Sequence, residues 1–279
     1  MKLHSIHAGM FKLDGGAMFG VVPKSMWNKL NPADENNMCS WAMRCLLIED
    51  GNRLILIDNG MGNKQDSKFF GHYYLHGDYT LDKSLAEKGF AKEDITDVFL
   101  THLHFDHCGG SIVRNTANTH FEPAFKNAVY WSHSKHWNWA INPNPREKAS
   151  FLKENILPIQ ESGQLKFFDV DNNLPDCFDA EIVSGHTESM MLPLIKYKQY
   201  NILYVADLFP SMAHIPLPFI MAYDTRPLLT LSEKEKILNN GVNNNTILFF
   251  EHDPLVECCN IVLTEKGIRP HDTFNLNIL

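Results

Sequence analysis

Three histidines and an aspartate fall within six residues of the stretch Thr101-His102-Leu103-His104-Phe105-Asp106-His107-Cys108-Gly109-Gly110. Ahead of it, residues 95–100 are apolar and rich in β-branched side chains, the pattern of a buried strand. A core has no use for four such polar groups. A divalent metal does, because imidazole and carboxylate are its ordinary ligands. His102 and His104 are two apart, so on an extended chain they point the same way. Asp106 and His107 fall where a turn ahead of Gly109-Gly110 can aim them at a second point. One short motif can therefore feed two adjacent ions. Its internal position and strand-like flank distinguish it from a tag or an incidental surface cluster.

Other apolar runs end in the same way. Residues 180–183 lead into Ser184-Gly185-His186-Thr187, residues 201–206 into Asp207, and residues 246–250 into Glu251-His252-Asp253-Pro254. A lone histidine after a strand is ordinarily a satisfied structural residue. Four such endings call for convergence on one sheet rim, where α/β enzymes assemble their sites. Asp58 closes a strand over residues 53–58. It is placed to hydrogen-bond a ligand histidine's outer nitrogen, with a plain turn residue as the alternative. His72 and His76 have helical spacing but no third ligand, and Gly71 and Gly77 break the helix, so they read as a surface or lid loop. His133 and His136 read as the solvated face of a helix capped by Ser132.

The elements around these residues alternate. Strands over 41–48 and 53–58 meet at the Asp50-Gly51-Asn52 turn, and a helix after Thr80 feeds the 95–100 strand, an α/β order. Asp14-Gly15-Gly16 signals a hairpin over about residues 10–25. Met18 and Phe19 sit on its second arm, as core or as a pocket wall. Residues 111–123 read as loop, 128–131 as a strand, 148–155 as a helix stopped by Pro158, and 232–238 as a helix. A hairpin turns around Lys198-Gln199-Tyr200. No composition shift marks a boundary, so a single domain over 1–279 is expected.

The 279 residues are 44% hydrophobic and 21% charged, ordinary for a sizeable core, and the net charge of −8 argues against nucleic-acid or anionic-membrane partners. The 6 cysteines form no CxxC pair and read as reduced thiols of a cytoplasmic protein. No signal-peptide or membrane-spanning stretch is apparent.

The motif His102-x-His104-x-Asp106-His107, followed by His186, Asp207 and His252, resembles the metallo-β-lactamase superfamily over nearly the whole chain. The resemblance implies an α/β fold, the four-layer αβ/βα sandwich, and a dinuclear site at one edge. It implies a first metal on His102, His104 and His186, a second on Asp106, His107 and His252, and a bridge through Asp207. The two divalent ions would be zinc, with manganese, iron or cobalt as alternatives. The bridging aspartate is absent from zinc β-lactamases proper. Residues 14–23, 101–107 and Met221-Ala222-Tyr223-Asp224 resemble the N-acyl-homoserine lactonase branch. The implied activity is opening of a small-molecule lactone by a metal-bridging hydroxide, with Asp106 carrying the proton. Met18, Phe19, Met38 and Trp41 are candidates for the acyl-chain wall. Phosphotriester or other ester hydrolysis is the alternative, and a non-catalytic metal-binding scaffold is the rival of another class. The N-terminal hairpin would serve substrate binding or a homodimer. The sequence departs from the pattern in two places. Glu188-Ser189 stand where the superfamily often has Pro-Gly after Gly-His-Thr. Pro210 stands where some lactonases place a substrate-polarising tyrosine, a role Tyr223 or His214 would then take.

Overall fold

The computed structural model describes residues 1–115, 117 and 119–279. The chain forms two compact units, one of residues 1–9 and 43–175, the other of residues 10–42 and 176–279. The division falls inside two 13-residue strands, β1 (Lys2–Asp14) and β2 (Met38–Asp50).

The first six-stranded sheet has the order β1-β2-β3-β4-β7-β8, with β3 (Arg53–Ile57), β4 (Asp97–Phe99), β7 (Val129–Ser132) and β8 (Leu165–Phe167). A separate ribbon pairs β5 (Ile112–Arg114) with β6 (Phe121–Pro123), where the sequence reads as loop; part of that expectation, at positions 116 and 118, lies outside the described residues. Strands β2 and β3 are antiparallel across a two-residue turn, where Gly51 takes φ 60°. Strands β3, β4, β7 and β8 are parallel, so their carboxyl ends share one rim. Beneath them Leu47, Leu56, Val98 and Tyr130 pack with Trp137, Ile156 and Ile159 from the helices Ser134–Ile141 and Lys153–Glu161. Each such buried side chain contributes roughly 1.5–3 kcal/mol. The second of these helices starts five residues later than expected, and Pro158 lies inside it rather than at its end.

The second sheet has the order β14-β13-β12-β11-β10-β9, with β9 (Phe178–Val183), β10 (Met190–Tyr197), β11 (Tyr200–Tyr204), β12 (Thr246–Phe249), β13 (Cys258–Thr264) and β14 (Gly267–Phe274). Only β11 and β12 are parallel, and the helix Pro227–Asn243 links them. That helix is far longer than the 232–238 expected, since Pro227 at its start lets it begin early.

The N-terminal hairpin is not formed. Asp14 ends β1 and caps the one-turn helix Gly15–Phe19, its Oδ1 accepting from the Ala17 amide at 2.8 Å. Asp-Gly is a turn pair in hairpins, but the same carboxylate is a strong helix N-cap, and here the cap prevails. A Cβ on Gly15 would lie 2.4 Å from the Trp27 ring, so only glycine admits this packing. Among the described residues no helix is long and apolar enough to cross a membrane.

Candidate metal centre

In the first unit the ligand-type residues follow β4. Residues 101–104 lie outside any strand or helix, with His104 itself extended, and Phe105–Cys108 form one helical turn with His104 as its N-cap. This is the break in geometry that the motif implies. His102 Nε2 and His104 Nδ1 converge to 3.0 Å, and the His102 and His107 rings lie 3.9 Å apart. The turn is held tightly from behind. Gly110 donates to the Gly60 carbonyl at 2.9 Å, and a Cβ there would come within 2.2 Å of the Asn59 oxygen.

Asp58 sits just past β3, with φ 54° and its side chain fully buried. Its carboxylate accepts from the Thr101 amide at 2.8 Å and the Thr101 hydroxyl at 2.7 Å, and meets His107 Nδ1 at 3.1 Å. The histidine contact is the role expected for it. Thr101 Oγ1 in turn lies 3.1 Å from His102 Nδ1. Asp106 is buried, its carboxylate 3.9 Å from His107 Nε2. The helix Ser67–Tyr73 presents Phe69 and Tyr73 to the Phe105 ring, at 5.3 and 4.6 Å between centroids. Burial and then the Asp106 charge push the Tyr73 phenol up to about 12. His72 and His76 are exposed and join no ligand group among the described residues.

His133 and His136 are buried, not solvated. His133, rather than Ser132, caps its helix by accepting from the Lys135 amide, and His136 Nε2 accepts from the Leu103 amide at 2.8 Å. His136 thus braces the backbone between the first two histidines of the motif. Its spacing to His133 looks like an exposed helix face because the segment covering it, at Leu103, is distant in sequence.

In the second unit three more ligand-type residues meet. His186 follows β9, Asp207 lies in a short turn after β11, and His252 follows β12. The Asp207 carboxylate is divided between two rings: Oδ2 lies 3.1 Å from His186 Nε2, and Oδ1 lies 3.1 Å from His252 Nε2. The outer nitrogens are held too. His186 Nδ1 meets Asp224 at 2.8 Å, and His252 Nδ1 donates to the Ala42 carbonyl at 2.7 Å. Burial alone would lower the His186 pKa, but Asp207 and Asp224 outweigh it and lift it to about 10 in the metal-free protein.

The loop carrying His186 compensates for its missing Pro-Gly. Ser189 takes φ 51°, the left-handed conformation a glycine adopts without cost. Arg226 donates to the Ser184 carbonyl and pairs with Glu188 at 2.8 Å. Glu233 accepts from the Ser184 and Gly185 amides at 2.7 and 2.9 Å. These contacts replace the stiffness that a proline would give.

His214 is not a free acid or base. Nδ1 meets Ser211 Oγ at 2.8 Å, Nε2 donates to the Met18 carbonyl at 2.9 Å, and the ring stacks on Phe19 at 4.6 Å. Burial first, and Lys234 nearby, hold its pKa down at about 3, so it stays neutral. Phe19 also stacks on Trp27, and Met18, Phe19 and Trp41 are core. Tyr223 is 41% exposed, beside Asp224.

The donor set fits divalent metal. Five buried imidazoles and two carboxylates are present, and the outer nitrogens of His107, His186 and His252 face a carboxylate or a main-chain carbonyl, the partners that orient metal-binding histidines. In the first unit the metal-type donors His102, His104, Asp106 and His107 are all buried. In the second unit His186, Asp207 and His252 are buried together.

Residues 44–252 match the family model described as the Metallo-beta-lactamase superfamily, and the chain belongs to that superfamily. Its fold is the αβ/βα sandwich of the family. Among solved structures it is similar to a probable metal-dependent hydrolase from Staphylococcus aureus, at TM-score 0.88 and 26% identity over 98% of this chain and 96% of that one. It is also similar to AidC, a dizinc quorum-quenching lactonase in complex with a product, at TM-score 0.79 and 22% identity over 99% and 97%. Among curated relatives, an N-acyl homoserine lactonase from Bacillus cereus is 24% identical over 90% of this chain and 93% of its own length.

Proposed function

We propose that the chain is a metal-dependent hydrolase that opens the ring of N-acyl homoserine lactones or closely related lactones. The observation that carries this reading is the division of the Asp207 carboxylate between His186 and His252. A carboxylate shared in this way suits a bridging ligand, and the lactonase relatives suggest the substrate class. In the family's order, His102, His104 and His186 would hold one ion, Asp106, His107 and His252 would hold the other, and Asp207 would serve both. Zinc is the metal we favour, since the donors are all nitrogen and oxygen and AidC is a dizinc protein. When bound, the two ions supply a Lewis acid for the carbonyl oxygen and a water acidic enough to ionise at a pKa of about 7.

The chain's own residues do the rest. Asp106 is buried beside His107 and positioned to carry a proton to the ring oxygen as the carbon–oxygen bond breaks. Phe69, Tyr73 and Phe105 form an apolar face next to Asp106 that suits an acyl chain. Tyr223, accessible and adjacent to Asp224, takes the carbonyl-orienting part that Pro210 cannot. We read the chain as one catalytic domain, since the family match runs across residues of both units. We further read it as cytoplasmic, without nucleic-acid partners on account of its net charge of −8, and able to pair as a homodimer.

The test is turnover by zinc-loaded protein on acyl homoserine lactones, an aryl phosphotriester and a glutathione thioester. Ring opening of the lactones, lost in His104→Ala, is expected. Turnover of the phosphotriester without lactone opening would overturn the substrate class, and no turnover on any of them would overturn the hydrolase reading.

A further inference from the structure

We propose that Glu147 is a positioning residue for the metal centre: its carboxylate faces the outer nitrogen of His104 and favours the tautomer that offers Nδ1 to metal. The inference rests on the reading of His104 as a ligand and adds a residue outside the ligand series. Glu147 is 3% exposed. A carboxylate at that depth is costly unless it is partnered. Trp139 Nε1 donates to Oε2 at 2.8 Å, and Asn144 Nδ2 donates to the same oxygen. The other oxygen, Oε1, is turned to His104 and lies 3.7 Å from Nε2. His104 therefore stands between two directions. Its Nδ1 faces His102 Nε2 at 3.0 Å, and its Nε2 faces a carboxylate. A neutral imidazole carries one N–H. A carboxylate opposite Nε2 draws the proton there and leaves the lone pair on Nδ1.

The rest of the segment grips the same motif. The Phe105 amide donates to the Ser150 carbonyl at 3.0 Å, and the Phe151 ring lies 4.8 Å from the His104 ring and 5.8 Å from the His136 ring. Residues 144–151 thus hold the His104 ring at its edge and its face, and the backbone just after it. Three of the four other histidines of the ligand series face, through Nδ1, an aspartate or a main-chain carbonyl. His104 is the one that turns Nδ1 inward, so its carboxylate must come from elsewhere in the chain, and Glu147 supplies it.

The experiment titrates metal-free wild type and Glu147→Gln with zinc against a chromophoric chelator. Thermal melting and the absorption spectrum of the cobalt-loaded proteins are recorded alongside. Glutamine keeps the size and an acceptor for Trp139 but not the charge. The expected result is a loss of about 10–100-fold in affinity for one of the two ions, a changed cobalt spectrum, and little change in metal-free melting. Glu147→Asp, which keeps the charge, should recover part of the affinity. Two unchanged affinities in a folded Glu147→Gln protein overturn the proposal, and so does an equal loss in Glu147→Gln and Glu147→Asp. Wild type that binds no zinc overturns the metal reading beneath it, whereas zinc binding without lactone opening overturns only the proposed substrate.

Discussion

His214 makes folding stability depend on pH in a defined window. Its ring is 1% exposed, with one nitrogen at Ser211, the other at the Met18 carbonyl, and a face against Phe19. Folding takes its pKa from 6.5 to about 3. Above pH 6.5 the ring is neutral in both states and contributes no pH dependence. Below that, the unfolded chain binds a proton that the folded chain refuses, so stability falls with pH until about pH 3 and then levels off. At about 1.4 kcal/mol per pH unit, the full loss is roughly 5 kcal/mol, and about 2 kcal/mol is gone by pH 5. The assay is urea unfolding at pH 7.5, 6 and 5 for wild type and His214→Gln at the same metal loading. Glutamine can occupy similar hydrogen-bonding positions but does not titrate. His7, lowered to about 4 by burial first and then by Arg44, titrates in both proteins and cancels. The variant should be the less stable at pH 7.5, having lost the stacked ring, and its deficit should shrink by about 2 kcal/mol between pH 7.5 and 5. A constant deficit at all three values would refute the argument.

Three more predictions concern the site and its loops. Ser189→Gly relieves a left-handed residue at φ 51° and should raise stability by about 1 kcal/mol, read as a higher melting temperature with unchanged turnover. Asp106→Asn removes the proton carrier and should lower lactone turnover by about 10²–10⁴-fold, with normal melting of the metal-free protein as the control. Stripping the metal with a chelator should lower the melting temperature, and restoring zinc to 100 times its dissociation constant should return about 2.7 kcal/mol per site. A chelated protein that melts unchanged would count against metal binding to the folded state.

Legibility from sequence followed distance along the chain. The motif at 101–107 was readable because all its residues are local and their spacing changes from extended to turned where the chemistry needs it. His186, Asp207 and His252 were readable because each ends an apolar strand. Asp58 was readable as a carboxylate at a strand end. Glu147 carries no such signal: it sits in the charged run Pro145-Arg146-Glu147-Lys148, and its partners Trp139 and Asn144 are visible only in the fold. His136 was misread for the same reason, since what covers it is the Leu103 amide, far away in sequence. The hairpin failed on a local ambiguity, because Asp14-Gly15 serves a turn or a helix cap, and the choice depended on Trp27 and Asn37.

One carboxylate governs two of the histidines, which makes Asp58→Asn a sharper test than removal of a ligand. The Thr101 hydroxyl donates to Asp58 Oδ2 at 2.7 Å, so its oxygen is left to accept from His102 Nδ1 at 3.1 Å. The same Oδ2 accepts from His107 Nδ1 at 3.1 Å. Both rings then carry the proton on Nδ1 and present a bare Nε2. An asparagine amide cannot reproduce this arrangement. With its nitrogen at the Oδ2 position it donates to Thr101, whose hydroxyl must turn toward His102 and drive that ring's proton onto Nε2; His107 is driven the same way. With its oxygen there, its nitrogen opposes the Thr101 amide, donor against donor, where Oδ1 now accepts at 2.8 Å. Either orientation weakens the centre without touching a ligand. Zinc titration should show both ions bound about 10–100-fold more weakly. Retention of wild-type affinity for both would mean that the tautomers are set by the metal alone and that Asp58 is only a brace for Thr101.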